Sequence, residues 1–212
     1  MTTDRLFSVE AALAHLHGVD AKLAALIDRV GAYDAPQRSD PYAALVRAIL
    51  FQQLAGAAAN AIQRKFFALY GPDGQPPSPP QMLETTDEQF RGAGVSRQKM
   101  GYLRDLAAHV ADGRLRLDEL PSLSDEAVVE RVTAVKGLGE WSAHMFLMFH
   151  LGRPDVLPIG DLGVRHGMRI TYGLPELPTP KEAIVIGAPW APFRSVGSWY
   201  MWRAGEPVAP DI

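Results

Sequence analysis

The sequence predicts an all-α protein. Apolar residues recur every three or four positions through most of the chain, which is the spacing of one buried helix face. Residues that favour helix starts stand at the beginnings of these stretches, and the alternating pattern of a β-strand is scarce. With 212 residues the chain can form one ordinary domain or two small intertwined ones.

Composition excludes several classes of protein. The chain has no cysteine, so a disulfide scaffold, a Cys-ligated zinc site and an iron–sulfur cluster are all excluded. No signal peptide opens the sequence, and no apolar run is long enough to span a bilayer, so a cytoplasmic protein without membrane association is expected. The net charge of −3 argues mildly against nucleic-acid binding, although only one face of such a protein must be positive.

Capping residues and apolar spacing place the helices in order. Two helices, Ser8–His17 and Asp20–Val30, are expected to be separated at Gly18. Asp40 and Pro41 form a helix start, because Asp caps a helix and Pro suits its first position. The further helices expected are Pro41–Phe51, one ending near Tyr70, a short one begun by a Thr85-x-x-Glu88 capping box, Ser96–Ala111, Asp125–Ala134, Ser142–Leu151, Asp161–Tyr172, one begun by Thr179-Pro180, and Phe193–Arg203.

A glycine hairpin joins two of these helices at Val135-Lys136-Gly137-Leu138-Gly139. Glycines two apart can adopt positive φ and let the backbone approach another molecule closely. Free N–H groups at the start of the second helix make an anion site, and phosphate contacts of this kind position a protein on DNA without reading sequence. Taken alone, the run is more typical of a tight turn between two packed helices.

The hairpin is followed by Pro158 and, about twenty residues after the second glycine, Asp161. Helix, glycine hairpin, helix, proline and aspartate in this order resemble the helix-hairpin-helix DNA glycosylases, and the details resemble the alkylation-repair branch, the 3-methyladenine DNA glycosylase II type. The resemblance runs roughly from Pro41 to Arg203. Because about forty residues precede Pro41 and they look helical, the chain resembles the compact form without an N-terminal β domain.

The resemblance implies two helical lobes with an active-site cleft between them. The expected division is a central helix-hairpin-helix lobe of residues 42–160 and a second lobe built from 1–41 plus 161–212. It also implies a monomeric enzyme that flips alkylated bases, mainly methylated purines, out of double-stranded DNA and hydrolyses the N-glycosidic bond. A non-catalytic DNA-binding module with the same hairpin, and a glycosylase for a different lesion, are the alternatives.

Asp161 stands where the family has its catalytic aspartate. A carboxylate there would stabilise the positive charge that develops on the sugar or orient the attacking water. The alternative is that Asp161 only caps the helix that follows it. Asp155, close by in the sequence, is expected to be a solvated loop residue.

Three residues are implied as contacts to the flipped base. Trp141 occupies the position at which bifunctional relatives carry a Schiff-base lysine, so a monofunctional enzyme without lyase activity is expected. An indole also suits a cationic alkylated base through stacking and cation–π contact. Trp202 matches an aromatic position of the last helix, and Met145 stands where some relatives have an aromatic; helix packing is the alternative for Trp141.

The remaining implied residues would contact the DNA backbone, the gap left by the flipped nucleotide, or an ion. Gln53, with Gln52 beside it, matches the residue that wedges into the duplex, and an ordinary polar kink is the alternative. No organic cofactor is expected, but a structural monovalent or divalent cation held by the backbone carbonyls of Thr133, Val135 and Leu138 is implied. The residues expected at phosphate are Lys136, Gly137, Leu138 and Gly139 of the hairpin, together with Ser96 and Lys99 in a second glycine loop, residues 91–99, which is otherwise a plain helix–helix turn.

Overall fold

The computed structural model describes residues 6–35, 40–54, 56–72 and 74–205, and within these ranges the regular structure is helical without a β-strand. The all-α prediction is confirmed. In the same ranges, no helix combines the length and the apolar character needed to cross a bilayer. The α-helices are α1 Val9–Val19, α2 Ala21–Val30, α3 Pro41–Phe51, α4 Gly56–Phe67, α5 Pro79–Glu84, α6 Asp87–Gly92, α7 Arg97–Ala111, α8 Asp125–Thr133, α9 Glu140–Phe149, α10 Leu162–Tyr172, α11 Pro180–Gly187 and α12 Arg194–Arg203.

The helix starts follow the capping chemistry of the sequence, with one shift. Thr86, and not Thr85, caps α6, and its capping box closes with Gln89. The predicted box at Thr85 is wrong because that residue ends α5, where its hydroxyl donates to the carbonyl of Gln81 at 2.8 Å. Gly18 does not separate the first two helices, since it lies inside α1, and Asp20 caps α2 instead.

The chain packs as two compact units. The terminal unit comprises Met1–Gln37 and Leu147–Ile212, as far as the structure describes them, and the central unit comprises Arg38–Phe146. The division expected from the sequence assigned residues 147–160 to the central lobe, whereas they pack with the terminal unit. The backbone N–H of Ser195 donates to Pro154 O at 2.9 Å, and the N–H of Val156 donates to Ser195 Oγ at 2.9 Å.

In the terminal unit, α10 packs against α12 at very short range. A Cβ added at Gly167 would lie 1.9 Å from the carbonyl oxygen of Met201, so only a glycine allows this approach. Asp20 connects α2 to the rest of the unit, because its carboxylate accepts hydrogen bonds from the Tyr172 hydroxyl and from Trp190 Nε1. Buried apolar side chains from α1, α2, α10 and α12 fill the space between these helices.

The central unit has a core of its own beneath α7. Phe66 and Phe90 are fully buried, and their rings stack with centroids 5.1 Å apart. Leu103 and Leu106 of α7 are also fully buried, so the middle of this helix packs against the core. Lys99, Tyr102 and Asp105 of the same helix contact the loops on either side of it in the sequence.

Candidate active site and nucleic-acid interface

The glycine hairpin, residues 135–139, lies in the central unit between α8 and α9. Ser124 caps α8 by accepting from Ala127 N at 3.3 Å, as its position in the sequence predicts. Gly137 has φ of 84°, and a Cβ there would lie 2.2 Å from the ring of Tyr102. Both the backbone angle and the space therefore require glycine at 137, whereas a Cβ at Gly139 would meet nothing within 4 Å.

The amides of the hairpin fall into two groups. The N–H of Lys136 donates to Asp105 Oδ2 at 2.8 Å, and the N–H of Leu138 donates to Val135 O at 3.1 Å. Within the part of the chain that the structure describes, the N–H groups of Gly137 and Gly139 make no hydrogen bond. Gly139 is exposed. These two amides are therefore the hairpin donors that an anion could accept from.

The carbonyls implied as ligands of a cation lie in the hairpin, at Val135 and Leu138, and at the end of α8, at Thr133. Val135 O accepts one hydrogen bond, from Leu138, and a carbonyl oxygen has a second lone pair. Among the described residues, no group of three or more His, Asp or Glu side chains forms a metal site. A cation bound by the backbone carbonyls of Thr133, Val135 and Leu138 stays a prediction.

The turn after α3, Gln52 and Gln53, is called the wedge turn here. Gln53 is exposed and has φ of 56°, a left-handed conformation that costs a side-chain-bearing residue about 1 kcal/mol or more. The side-chain amide of Gln52 donates to Gly137 O at 2.6 Å. The wedge turn is therefore tied directly to the hairpin within the central unit.

Lys99 and Ser96, both expected at phosphate, have definite partners. Lys99 Nζ donates to Leu50 O at 2.7 Å and to Gln52 O at 2.8 Å, and burial lowers the pKa of this ammonium. Ser96 caps α7 by accepting from the backbone N–H of Lys99. A phosphate contact by either residue stays a prediction.

Asp161 is the N-cap of α10 in the terminal unit and is 8% exposed. Its Oδ1 accepts from the backbone N–H of Val164 at 2.7 Å and from Trp202 Nε1 at 2.8 Å. A Cβ at Gly163 would come within 2.7 Å of the Trp202 ring, so this glycine lets the indole reach the carboxylate. The predicted cap is confirmed, and the catalytic role of Asp161 stays a prediction.

Asp155 is not the solvated loop residue that the sequence suggested. Its Oδ1 accepts from Arg194 Nε at 2.7 Å and its Oδ2 accepts from Arg194 Nη2 at 2.8 Å. This bidentate pair raises the pKa of the Arg194 guanidinium and anchors the start of α12. The expectation fails because the partner is distant in sequence, and nothing near Asp155 reveals it.

The predicted base contacts lie in two places along the chain. Trp141, 49% exposed, and Met145, partly buried, stand four positions apart on α9 and therefore on one side of it. Trp202 is partly buried on α12, with its ring 5.6 Å from that of Phe149. The sequence does not reveal this contact, because Phe149 has the pattern of one more apolar residue of a buried helix.

Comparison with known proteins supports the same family. A sequence model of the HhH-GPD superfamily base excision DNA repair proteins matches residues 46–192. The chain is 36% identical over 204 residues to the DNA-3-methyladenine glycosylase 1 of Schizosaccharomyces pombe, covering 94% of this chain and 89% of that relative.

Two solved structures are similar over nearly the whole chain. The 3-methyladenine DNA glycosylase of S. pombe in complex with abasic DNA is 36% identical with a TM-score of 0.82, covering 91% of this chain and 95% of that one. The DNA-3-methyladenine glycosidase of Bacillus halodurans is also 36% identical with a TM-score of 0.82, covering 97% and 94%. The family predicted from the hairpin and Asp161 is confirmed: the chain belongs to the HhH-GPD superfamily of base excision DNA repair proteins.

Proposed function

We propose that this protein is a monofunctional DNA glycosylase that removes alkylated bases, mainly methylated purines, from double-stranded DNA. The observation that carries the proposal is the carboxylate of Asp161, which two hydrogen bonds hold in one orientation at the start of α10. The names of the relatives support the substrate class. A cytoplasmic location is part of the proposal.

Once the base is out of the duplex, the main task of the enzyme is to stabilise the positive charge that develops on the sugar. A purine methylated at N3 or N7 carries a positive charge, so the C1′–N bond breaks with its electron pair going to the base, which leaves neutral. The sugar becomes oxocarbenium-like, and the Asp161 carboxylate stabilises that charge. A water molecule then forms the new C1′–O bond and releases a proton. Protonation of the leaving group is not required for such a base.

The other predicted residues supply binding and base flipping. Extruding a nucleotide costs unstacking energy, which a wedge in the gap and contacts to the base recover. Gln53 is the proposed wedge, because it is exposed at the tip of a turn fixed to the hairpin. The amides of Gly137 and Gly139, together with the exposed Lys136, are the proposed phosphate contacts.

Trp141, Met145 and Trp202 remain the proposed contacts to the flipped base. No organic cofactor is proposed, and a cation on the hairpin carbonyls would serve only to fix the backbone. Because Trp141 stands where a lyase needs a lysine, borohydride should trap no covalent adduct between the protein and DNA.

The decisive experiment measures base release from duplexes that each carry one defined lesion. We expect the wild type to release alkylated purines, and Asp161→Asn to bind the same DNA while releasing base at least about 100-fold more slowly. Asp155→Asn is the matched control, because it removes a carboxylate nearby in sequence that is committed to Arg194. Its rate per folded molecule should stay close to that of the wild type.

Three results would contradict the proposal. DNA binding without release of any base would favour a non-catalytic DNA-binding module. Release confined to deaminated or mismatched bases would favour a glycosylase for another lesion. Equal rates for Asp161→Asn and the wild type would remove Asp161 from the mechanism.

A further inference from the structure

One side of α7 holds both loops that are proposed to meet DNA. Lys99, Tyr102 and Asp105 follow each other at intervals of three residues, so they lie along one side of the helix. The Tyr102 ring packs against Gly137, and Asp105 accepts the N–H of Lys136. Lys99 holds carbonyls at the end of α3. The helix therefore sets the hairpin and the wedge turn in one fixed register.

Two contacts hold the wedge turn in place, one from Lys99 to its backbone and one from the side chain of Gln52 to the hairpin. The Lys99 ammonium lies 2.7 Å from Leu50 O and 2.8 Å from Gln52 O, at the negative end of the α3 dipole. The Gln52 side chain donates to Gly137 O at 2.6 Å. Gln53, the next residue, takes the strained φ of 56° with its side chain exposed. Such a conformation persists only when its surroundings impose it.

We propose that Lys99 is a positioning residue, which holds Gln53 in the conformation that enters the duplex, and that it does not act as a phosphate contact. The inference rests on the proposed function, in which Gln53 is the wedge. Two of the three ammonium hydrogens are committed to carbonyls of this turn. The lowered pKa of Lys99, caused by burial, fits a lysine that faces the protein.

Salt dependence separates positioning from phosphate binding. The slope of log K against log [salt] is negative, and a lost phosphate contact reduces its magnitude by about 0.9, whereas a lost positioning contact leaves it unchanged. We expect Lys99→Met to keep the wild-type slope on a duplex with an abasic site. Lys136→Met is the matched control, since it removes an exposed hairpin lysine and should reduce the magnitude of the slope by about 0.9.

Base flipping supplies the second measurement. With 2-aminopurine as the fluorescent base in the target position, we expect Lys99→Met to reduce the flipped fraction about tenfold at saturating protein. Lys99→Gln keeps amide hydrogens for the carbonyls without a charge, so it should restore flipping to within about threefold of the wild type. If Lys99→Met does not fold, as judged by circular dichroism, Lys99→Gln alone distinguishes the two roles.

A double-mutant cycle tests whether Lys99 acts through Gln53. In the Gln53→Ala background, Lys99→Met should change flipping by less than about twofold, because the side chain that it positions is already gone. Additive losses, or a Lys99→Met slope whose magnitude falls as in Lys136→Met, would overturn the inference. If Gln53→Ala flips bases as well as the wild type, the wedge assignment fails and the inference with it. Wild-type protein that releases no alkylated base would instead refute the proposed function, whatever the cycle shows.

Discussion

Trp202 Nε1 lies 2.8 Å from Oδ1 of Asp161, on the same carboxyl oxygen that caps α10 by accepting from Val164 N. A single oxygen thus receives two donors from two helices of the terminal unit. The side chain cannot rotate without breaking both bonds, so the carboxylate is fixed before any substrate arrives. Preorganisation of this kind is what electrostatic stabilisation of a developing charge requires.

Trp202→Phe should slow base release by a larger factor than it weakens DNA binding. The substitution keeps an aromatic ring but removes the N–H that holds Asp161, and a hydrogen bond to a charged group contributes about 1.5 kcal/mol, or roughly tenfold in rate. Single-turnover kinetics on a methylated duplex give the rate. Trp199→Phe is the control, since Trp199 lies in the same helix as Trp202 and packs edge-on against the rings of Tyr33 and Tyr200. Equal losses in both variants would argue against a specific role for the Asp161 contact.

Asp161→Ala and Asp161→Asn should separate capping from catalysis. Loss of an N-cap costs about 1–2 kcal/mol in the free energy of unfolding, but asparagine caps a helix about as well as aspartate does. We therefore expect urea denaturation to show a clear loss of stability for the alanine variant and a change of a few tenths of a kcal/mol for the asparagine variant. Base release should be lost in both. An asparagine variant as unstable as the alanine variant would mean that the charge itself stabilises this site.

Gly167→Ala should destabilise the protein although alanine is the better helix former. The new methyl would lie 1.9 Å from Met201 O, a backbone atom that cannot move away without displacing α12. Overpacking of this kind costs typically about 1–3 kcal/mol. Gly18→Ala is the matched control, because Gly18 also lies inside a helix of the terminal unit and has nothing within 4 Å. It should raise the free energy of unfolding by about 0.5–1 kcal/mol. If Gly167→Ala behaved in the same way as Gly18→Ala, the close approach of α10 and α12 would be refuted.

The features that could be predicted from the sequence are the local ones. A cap such as Asp161 or Ser124 depends on residues two or three positions away, so the chain itself displays the whole interaction. The error at the start of α6 is also local. Thr85-x-x-Glu88 and Thr86-x-x-Gln89 both satisfy the capping-box pattern, and only the end of the preceding helix decides between them.

The features that could not be predicted join residues far apart in the chain. The Trp202 bond to Asp161 and the Arg194 pair with Asp155 span 41 and 39 residues. Each depends on how two helices pack, which periodicity does not encode. Lys99 illustrates the consequence for function: a lysine next to a glycine loop suggested phosphate, whereas its ammonium faces two carbonyls that lie 47 and 49 residues away.

His144 should make the protein less stable in mild acid. Burial lowers the pKa of His144, and the opposing carboxylates of Glu140, 3.8 Å away, and Asp125 do not fully offset this effect. Because the pKa in the folded state lies below that in the unfolded chain, about 6.5, the unfolded chain takes up the proton first as the pH falls. Stability is therefore fully present above pH 6.5 and decreases below it.

Urea denaturation of the wild type and of His144→Gln between pH 8 and pH 5 measures this contribution. Glutamine binds no proton, so subtracting the two curves cancels every other titrating group. The difference in the free energy of unfolding should be constant above about pH 7. Below about pH 6.5 it should move against the wild type, with a slope that cannot exceed about 1.4 kcal/mol per pH unit for one proton. Parallel curves over the whole range would show that His144 takes up its proton equally readily in the folded and unfolded chain. A difference of opposite sign would mean that Glu140 and Asp125 outweigh burial.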